Sequence, residues 1–581
     1  MTRFTEVLDE NTINYKLWLD KYALKDSSHN SVENNYNNTL ERVAMAASNV
    51  ERKNNTSFYK DFLWCLSNGA IPSGRVLSNI GCNVFKLNNT ICSSAVLQLG
   101  TDLSKEILES GKSLQSNLGV GYDFSYCKND FEVEKMLKLF DSIGGNVNAA
   151  GFRKGAQIAT MDCNHSCIKK FITSKYNIDE LKNFNISVKF TNEFLDSISN
   201  FANNFNDNPI SYNESVWYEF IISNYYNAEP GVVFIDRIYQ GNNNKLFEEI
   251  SGVNPCGEQP LPNYGSAVLG SIDISEFIKR PFTDNVEFDW IKFENVVKIF
   301  TRLVDNLIEL NNLPLEKQRY EILRTRRHGI GILGVGTAIT MLCLKYGSKD
   351  SQKFVSKVCQ KLALVGYNIG IELAKEKGKA PILDEIFKCE NGIKKKGSEL
   401  FSSSSIILNK LNKIDNHVMD KFSQYGCRFT HHTSIAPTGS TSFIIADNAS
   451  NGIEPSFSHA YVRNVSCQKT NSILSYQVLS KEYKLYLKQQ GLEHCDTNYR
   501  KLPPYFLTAD TIKVEDHVSI VAAAQEWIDG AISKTINVPT ECSIKELSRL
   551  YILAYKSKLK GCTTFRYNPD RYNPVLERDA K

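Results

Sequence analysis

The stretch that decides the reading of this chain is Asn254-Pro255-Cys256-Gly257-Glu258, followed by Gln259-Pro260-Leu261-Pro262. It carries an amide, a thiol and a carboxylate at alternating positions. In an extended strand alternate side chains share a face, so Asn254, Cys256 and Glu258 would converge on one site. A thiol can be oxidised to a radical, a carboxylate can take up a proton, and an amide can hold a hydroxyl by hydrogen bonds. Taken alone, the spacing favours a plainer reading, a strand end carrying a buried cysteine.

Working outward, the chain has 581 residues, enough for several domains or one large barrel with a sizeable core. Hydrophobic residues are 42% and charged residues 23%, ordinary for a globular protein. The net charge of +4 gives no global argument for nucleic-acid or membrane binding, although local basic sites for phosphate stay open. The 15 cysteines are odd in number and lack framework spacing. No signal-peptide stretch opens the chain, and no apolar run approaches the roughly 18 residues that span a bilayer. These features predict a reduced, cytoplasmic protein, with no membrane partner and no direct nucleic-acid partner.

Residues 1–60 read as a helical, polar N-terminal region, broken by an Asn-rich loop at Asn30–Asn38. Helix-like stretches such as Leu103–Leu118 and Phe293–Asn311 alternate with β-like runs such as Gly231–Ile235 and Ser434–Ala436, which predicts an α/β fold. Gly329–Gly334 matches GxGxxG as a string, but the basic residues before it, Arg324–His328, do not read as a buried strand, so no dinucleotide fingerprint is inferred. Residues 567–581 read as a charged tail. Cys163 and Cys167, at i,i+4 spacing, are expected to share a helix face rather than a disulfide.

Taken together, ordered blocks across residues 60–570 resemble the catalytic (large) subunit of the ribonucleotide reductases. They are PSGRVLSN at Pro72–Asn79, LGVGYDFS at Leu118–Ser125, FNISVKFTNEF at Phe184–Phe194, EPGVVFIDRI at Glu229–Ile238, NPCGE at Asn254–Glu258, RRHGIGILG at Arg326–Gly334, SIAPTGSTSF at Ser434–Phe443, SKTINVP at Ser533–Pro539 and KGCTTFR at Lys560–Arg566. The resemblance implies a ten-stranded α/β barrel over residues 61–566, of the type shared with glycyl radical enzymes, with a loop through its centre carrying the radical cysteine. It implies that Cys256 is the thiyl, Glu258 the general base for the 3′ hydroxyl, and Asn254 the residue that positions the ribose. Ser73, Ser94 and Gly119 fall at substrate-contact positions. Pro437, Thr438, Gly439, Ser440 and Thr441 fall at a phosphate-binding turn, although as a bare pentapeptide they read as an ordinary turn.

Of the radical sources that divide the family, a separate metal-bearing subunit needs adjacent relay tyrosines, where this chain has Thr564-Phe565. A glycyl radical needs a C-terminal glycine, and residues 567–581 contain none. The resemblance therefore points to adenosylcobalamin and the class II branch. It also implies a ribonucleoside di- or triphosphate substrate, a deoxynucleotide effector, and a homodimer. Arg153 and Lys154 are the candidate effector contacts, and no ATP-cone is expected. The family's reducing cysteine pair falls here at Ala95 and Ala267, which predicts an external reductant or reductase partner. Alternatively, the chain is a non-catalytic nucleotide-binding homologue, or a radical enzyme whose product is not a deoxynucleotide. The Lys- and Asn-rich composition fits an AT-rich coding sequence, in which case the location would be a host cytoplasm.

Overall fold

The computed structural model describes residues 12–568 and 576–578, apart from 27, 29, 52, 82–88, 148–154, 178–179, 390–391 and 468–471. Nine strands and one extended segment close on themselves. The strands are β1 (Ser94–Gln98), β2 (Gly119–Asp123), β3 (Gln157–Asp162), β4 (Phe184–Phe190), β5 (Gly231–Phe234), β6 (Val268–Asp273), β7 (His328–Leu333), β8 (Thr535–Val538) and β9 (Gly561–Arg566). β1 to β5 lie side by side, all parallel. β5 then meets β9 antiparallel, and β9 meets β8 in parallel. The segment 433–435 bridges Ile532 ahead of β8 on one side and Ile330 of β7 on the other, both in parallel. β7 pairs with β6 in parallel, and an antiparallel bridge from Ser266 to Ala95 closes the ring onto β1. The result is two parallel half-barrels of five staves each, set antiparallel to each other, as the resemblance implied.

Helices cover the outside because parallel neighbours require crossover connections. Their ends are read easily in sequence. Asp102 accepts from the backbone N–H of Ser104 and Lys105 to start Leu103–Gln115, and Ser211 and Ser543 form capping boxes with Glu214 and Glu546. Helices Ile13–Lys21, Tyr36–Ser48 and Asn55–Leu66 build the N-terminal region. Trp18 donates to the Thr39 hydroxyl at 3.1 Å, and the Asn14 amide donates to the Phe443 carbonyl at 2.9 Å, docking that region on the barrel.

Three expectations change here. His328–Leu333 is a fully buried barrel strand, β7, despite its basic approach. Its glycines serve sheet contact: a Cβ on Gly331 would meet the Ser434 carbonyl oxygen at 2.2 Å. Cys163 follows β3 and Cys167 caps the next helix, Ile168–Thr173, so the two do not share a helix face. Within the tail, Leu576–Arg578 adds a strand to Ala460–Cys467, itself paired with Ser472–Leu479.

The feature that matters for function is a hairpin that threads the barrel. Gly252–Val253 pairs antiparallel with Pro260–Leu261, and residues 254–259 form its tip. β2 makes room for it with glycine: a Cβ on Gly121 would lie 1.9 Å from the Val253 carbonyl oxygen, and one on Gly119 would lie 3.2 Å from the Pro255 ring. Gly121→Ala is expected to destabilise the fold by about 2–3 kcal/mol through overpacking, and to push the hairpin off β2. Denaturant unfolding would check this; an unchanged midpoint would mean that the hairpin does not lie against β2.

Candidate active site

The hairpin tip is one tight turn, not the extended strand that the alternating pattern suggested. The Gly257 N–H donates to the Asn254 carbonyl at 2.9 Å, Pro255 takes the corner, and Gly257 has φ +78°. The Asn254 side-chain oxygen accepts from the Gln259 N–H at 2.9 Å. Two further bonds pin the tip to the wall: Gln259 Nε2 to Ser434 Oγ at 2.7 Å, and the Ala531 N–H to the Glu258 carbonyl at 2.9 Å.

This turn sends the thiol and the carboxylate into different surroundings. Cys256 is exposed and lines a cavity of about 210 Å³ with Asn185, Ser187, Ser533, Lys534, Lys560 and Thr563. Asn254 and Glu258 are buried. Burial pushes the Glu258 carboxyl up to about 7, against the pull of the Asn254 amide and the Arg75 guanidinium. Among the described residues one Glu258 oxygen, Oε2, has no hydrogen-bond partner, and neither do Ser73 Oγ and Asn117 Oδ1. Arg75 ties this group together, donating from Nε to the Asn117 carbonyl at 2.5 Å. Buried polar atoms without partners are costly, and the hydroxyls of a bound sugar would satisfy them. Arg75 and Asn117 were not singled out in sequence. The available signal was an arginine two residues after Ser73, within reach of a carboxylate.

Residues 437–441, expected to bind phosphate, form a turn into a short helix. Thr438 has φ +50° and precedes helix Gly439–Ile444. Its hydroxyl accepts from the Gly452 N–H at 2.8 Å, and the Thr441 hydroxyl donates back to the Thr438 carbonyl at 3.1 Å. Ser440 is half-buried. Pro437 and Gly439 line a second polar cavity of about 270 Å³, shared with Arg463, Thr535 and Asn537. Ser533 lines both cavities, and the Glu454–Lys534 ion pair has its carboxylate on the second and its amine on the first. Polar residues therefore link the cavity at the thiol to the one at residues 437–439.

The redox positions need a correction. Val96 packs against Gly252 of the hairpin, so by alternation Ser94 and Val96 face inward while Ala95 faces the outer helices. The Ala95–Ser266 bridge sets Ser94, not Ala95, opposite Ala267. The inward pair is thus a hydroxyl and a methyl, neither of which can donate electrons. Cys92 does not replace them: it is buried, and burial pushes its thiol up to about 12. Directly opposed antiparallel residues have Cα atoms roughly 4.5–5.5 Å apart, which suits a disulfide. The double variant Ser94→Cys, Ala267→Cys is therefore expected to form one under mild oxidation, seen as a linked peptide that dithiothreitol releases. Failure to link would displace this register. The effector candidates Arg153 and Lys154 lie outside the described residues.

Fold and site together define an α/β-barrel enzyme built around one accessible thiol on a central loop. Residues 93–213 and 202–565 match the family described as "Ribonucleotide reductase, barrel domain", and residues 9–83 match "Ribonucleotide reductase, all-alpha domain". The chain belongs to the ribonucleotide reductase large-subunit family. It is 27% identical over 531 residues to a vitamin B12-dependent ribonucleoside-diphosphate reductase of Thermoplasma acidophilum, covering 85% of this chain and 63% of that protein. It is 25% identical over 597 residues to the protein of the same name in Mycobacterium tuberculosis, covering 97% of this chain and 80% of the relative. The chain thus spans less than two thirds of the first of these relatives. The Actinobacillus ureae class Id ribonucleotide reductase alpha subunit superposes with a TM-score of 0.70 over 97% of this chain and 98% of its own, at 17% identity, a likeness of fold.

Proposed function

We propose that this chain is the catalytic chain of an adenosylcobalamin-dependent ribonucleotide reductase acting on ribonucleoside diphosphates. The observation that carries the reading is Cys256 at the tip of a hairpin inside the barrel, open to a cavity, with Glu258 and Asn254 buried two residues away on either side. The names of the B12-dependent relatives support the cofactor and the diphosphate.

The residues present fit the cofactor. Among the described residues no group of three or more His, Cys, Asp and Glu is placed to hold a metal ion, so a metal would arrive with its own ligands, as in a corrin. The cavity beside Cys256 offers amide and hydroxyl groups, from Asn185, Ser187, Ser533 and Thr563, that would hold amides and sugar hydroxyls. When bound, adenosylcobalamin supplies a carbon-centred radical by cleavage of its cobalt–carbon bond.

In this reading the Cys256 thiyl takes the ribose 3′ hydrogen and returns it at the end, Glu258 takes the 3′ hydroxyl proton, and the 2′ hydroxyl leaves as water, the reduction consuming two protons and the two electrons of an external reductant. Asn254, Ser73 and Asn117 hold the ribose, Ser94 and Gly119 border it, and residues 437–441 take the phosphates. The hairpin and barrel wall exclude water from the radical. The two electrons come from outside the barrel, because Ser94 and Ala267 have none to give. The same reading assigns residues 1–60 to the N-terminal region, 61–566 to the barrel and 567–581 to the tail. A homodimer, a deoxynucleotide effector and a cytoplasmic location belong to the same reading. Among the described residues no helix is long and apolar enough to cross a membrane. The non-catalytic alternative is not favoured, because Asn254, Cys256 and Glu258 are all kept.

The test is anaerobic incubation with adenosylcobalamin, a mixed effector pool, cytidine diphosphate, and either dithiothreitol or formate. Many deoxycytidine products per chain would support the reading and identify the reductant type. Nucleotide binding without product would refute it.

A further inference from the structure

The cavity at Cys256 contains an unusual cation. Lys560 is 7% exposed and its amine donates only to backbone carbonyls, Asp529 O at 2.7 Å and Gly530 O at 2.8 Å. Among the described residues it has no carboxylate partner. The obvious one, Asp529, is already occupied: its carboxylate accepts from the Thr433 N–H and hydroxyl, the His432 N–H, the Gly530 N–H and the Tyr367 hydroxyl. An ammonium has three hydrogens to donate, so one is left over on a residue that lines the thiol cavity. The other charges there are neutralised. Lys534 pairs with Glu454, and Glu229 pairs with Lys175. A buried ammonium without a counter-charge is costly unless an anion completes it.

We propose that Lys560 makes the thiol cavity an oxyanion site, holding a carboxylate or phosphate oxygen beside Cys256. The inference rests on the reading of this cavity as the working face of the thiol. It goes further by giving the ligand's charge and the residue that binds it. Two sources share the chemistry: a small carboxylate, and the phosphate of a larger ligand.

The charge on this amine is held lightly. Burial pulls Lys560 down to about 8, opposed by Asp529 and reinforced by Lys410. His431, on the neighbouring segment, is itself kept neutral by burial, with Arg327 and Lys560 adding to the effect. Lys534, Glu229, Cys256 and Cys562 are the other titratable groups lining the cavity, and burial pushes the Cys562 thiol up to about 12. The site should therefore hold an anion below about pH 8 and release it above, as the ammonium loses its proton.

The full chain without added cofactor tests this. Iodoacetate and iodoacetamide alkylate the same thiolate and differ in charge, so the ratio of their rates cancels the thiolate fraction. Peptide mass mapping would read that ratio at Cys256, with exposed Cys495 as internal reference. The ratio at Cys256 is expected to exceed that at Cys495 by roughly tenfold, the equivalent of one charge-assisted hydrogen bond. Lys560→Met should bring it to the Cys495 level. In the unaltered chain it should fall as pH rises through about 8, which keeps the test valid if the variant does not fold. Acetate slowing iodoacetate selectively would identify a carboxylate source, and inorganic phosphate doing so a phosphate source. Equal ratios at Cys256 and Cys495, or a ratio that neither pH nor Lys560→Met moves, would overturn the proposal. Neither result depends on turnover, so it is separable from failure of the reductase reading.

Discussion

Cys256→Ala is expected to reduce deoxynucleotide formation by at least about 10³-fold while leaving the fold in place. The loss follows from chemistry: a methyl group cannot carry the radical, and the other thiol lining the cavity, Cys562, is on the barrel wall rather than on the hairpin tip. Cys92 and Cys562 are buried, and burial pushes each thiol up to about 12. The preserved fold follows from structure. Cys256 is exposed, and its turn is held by bonds of Asn254, Gly257 and Gln259, none of which uses the Cys256 side chain. Truncating an accessible cavity-lining side chain that takes no part in these bonds should move stability by about 0.5 kcal/mol or less. The measurement pairs product counting with nucleotide binding and thermal unfolding. Lost product with intact binding and melting places the chemistry on the thiol. Retained product would remove Cys256 from the mechanism, whatever the barrel resembles.

How far the sequence could be read depended on what kind of signal each element gave. The α/β alternation was legible because helix-like stretches such as Leu103–Leu118 and β-like runs such as Gly231–Ile235 carry local patterns, and helix Leu103–Gln115 and strand Gly231–Phe234 stand there. β7 was missed because its buried face is made of glycine and isoleucine behind a basic run. Those basic residues are themselves buried in ion pairs, Arg326 with Asp305 and Arg327 with Glu248, which composition cannot show. The Asn254–Glu258 motif was found, but its geometry was misjudged. Alternation licenses a shared face only in an extended strand, and Pro255 with Gly257 made a turn instead. The Ala95 assignment failed by one residue for a related reason. A one-residue slip in register exchanges the inner and outer faces of a strand, and the contacts of Val96, Gly119 and Gly121 with the hairpin fix which is which. Arg75 and Asn117 join the site through contacts 42 residues apart in sequence, beyond the reach of any local pattern.

Glu258→Gln separates the roles of this buried carboxyl most sharply, because charge, rate and stability respond with different signs. As a general base Glu258 must be ionised, and burial holds its carboxyl up to about 7. The unaltered enzyme should therefore gain activity as pH rises through about 7. Removing a general base typically costs about 10²–10⁴-fold, so the variant should lose that much and lose the pH dependence with it. Stability runs the other way. A carboxyl raised from 4.5 to about 7 by folding contributes stability that is fully present below 4.5 and is lost as pH rises through about 7. That difference corresponds to roughly 3 kcal/mol at one pH unit per 1.4 kcal/mol. Glutamine cannot ionise, so between pH 5 and 8 the variant should hold its stability where the parent declines. A substrate that binds through its 3′ hydroxyl adds a further sign. The unpaired Oε2 would gain a donor, which favours the ionised form and moves the rate profile of the saturated enzyme to lower pH than that of the free enzyme. If the variant keeps the parent's pH–rate profile, Glu258 is a buried structural acid and the proton goes elsewhere. If it flattens the rate profile and also the stability curve, the same carboxyl both weakens the fold at neutral pH and does the chemistry there.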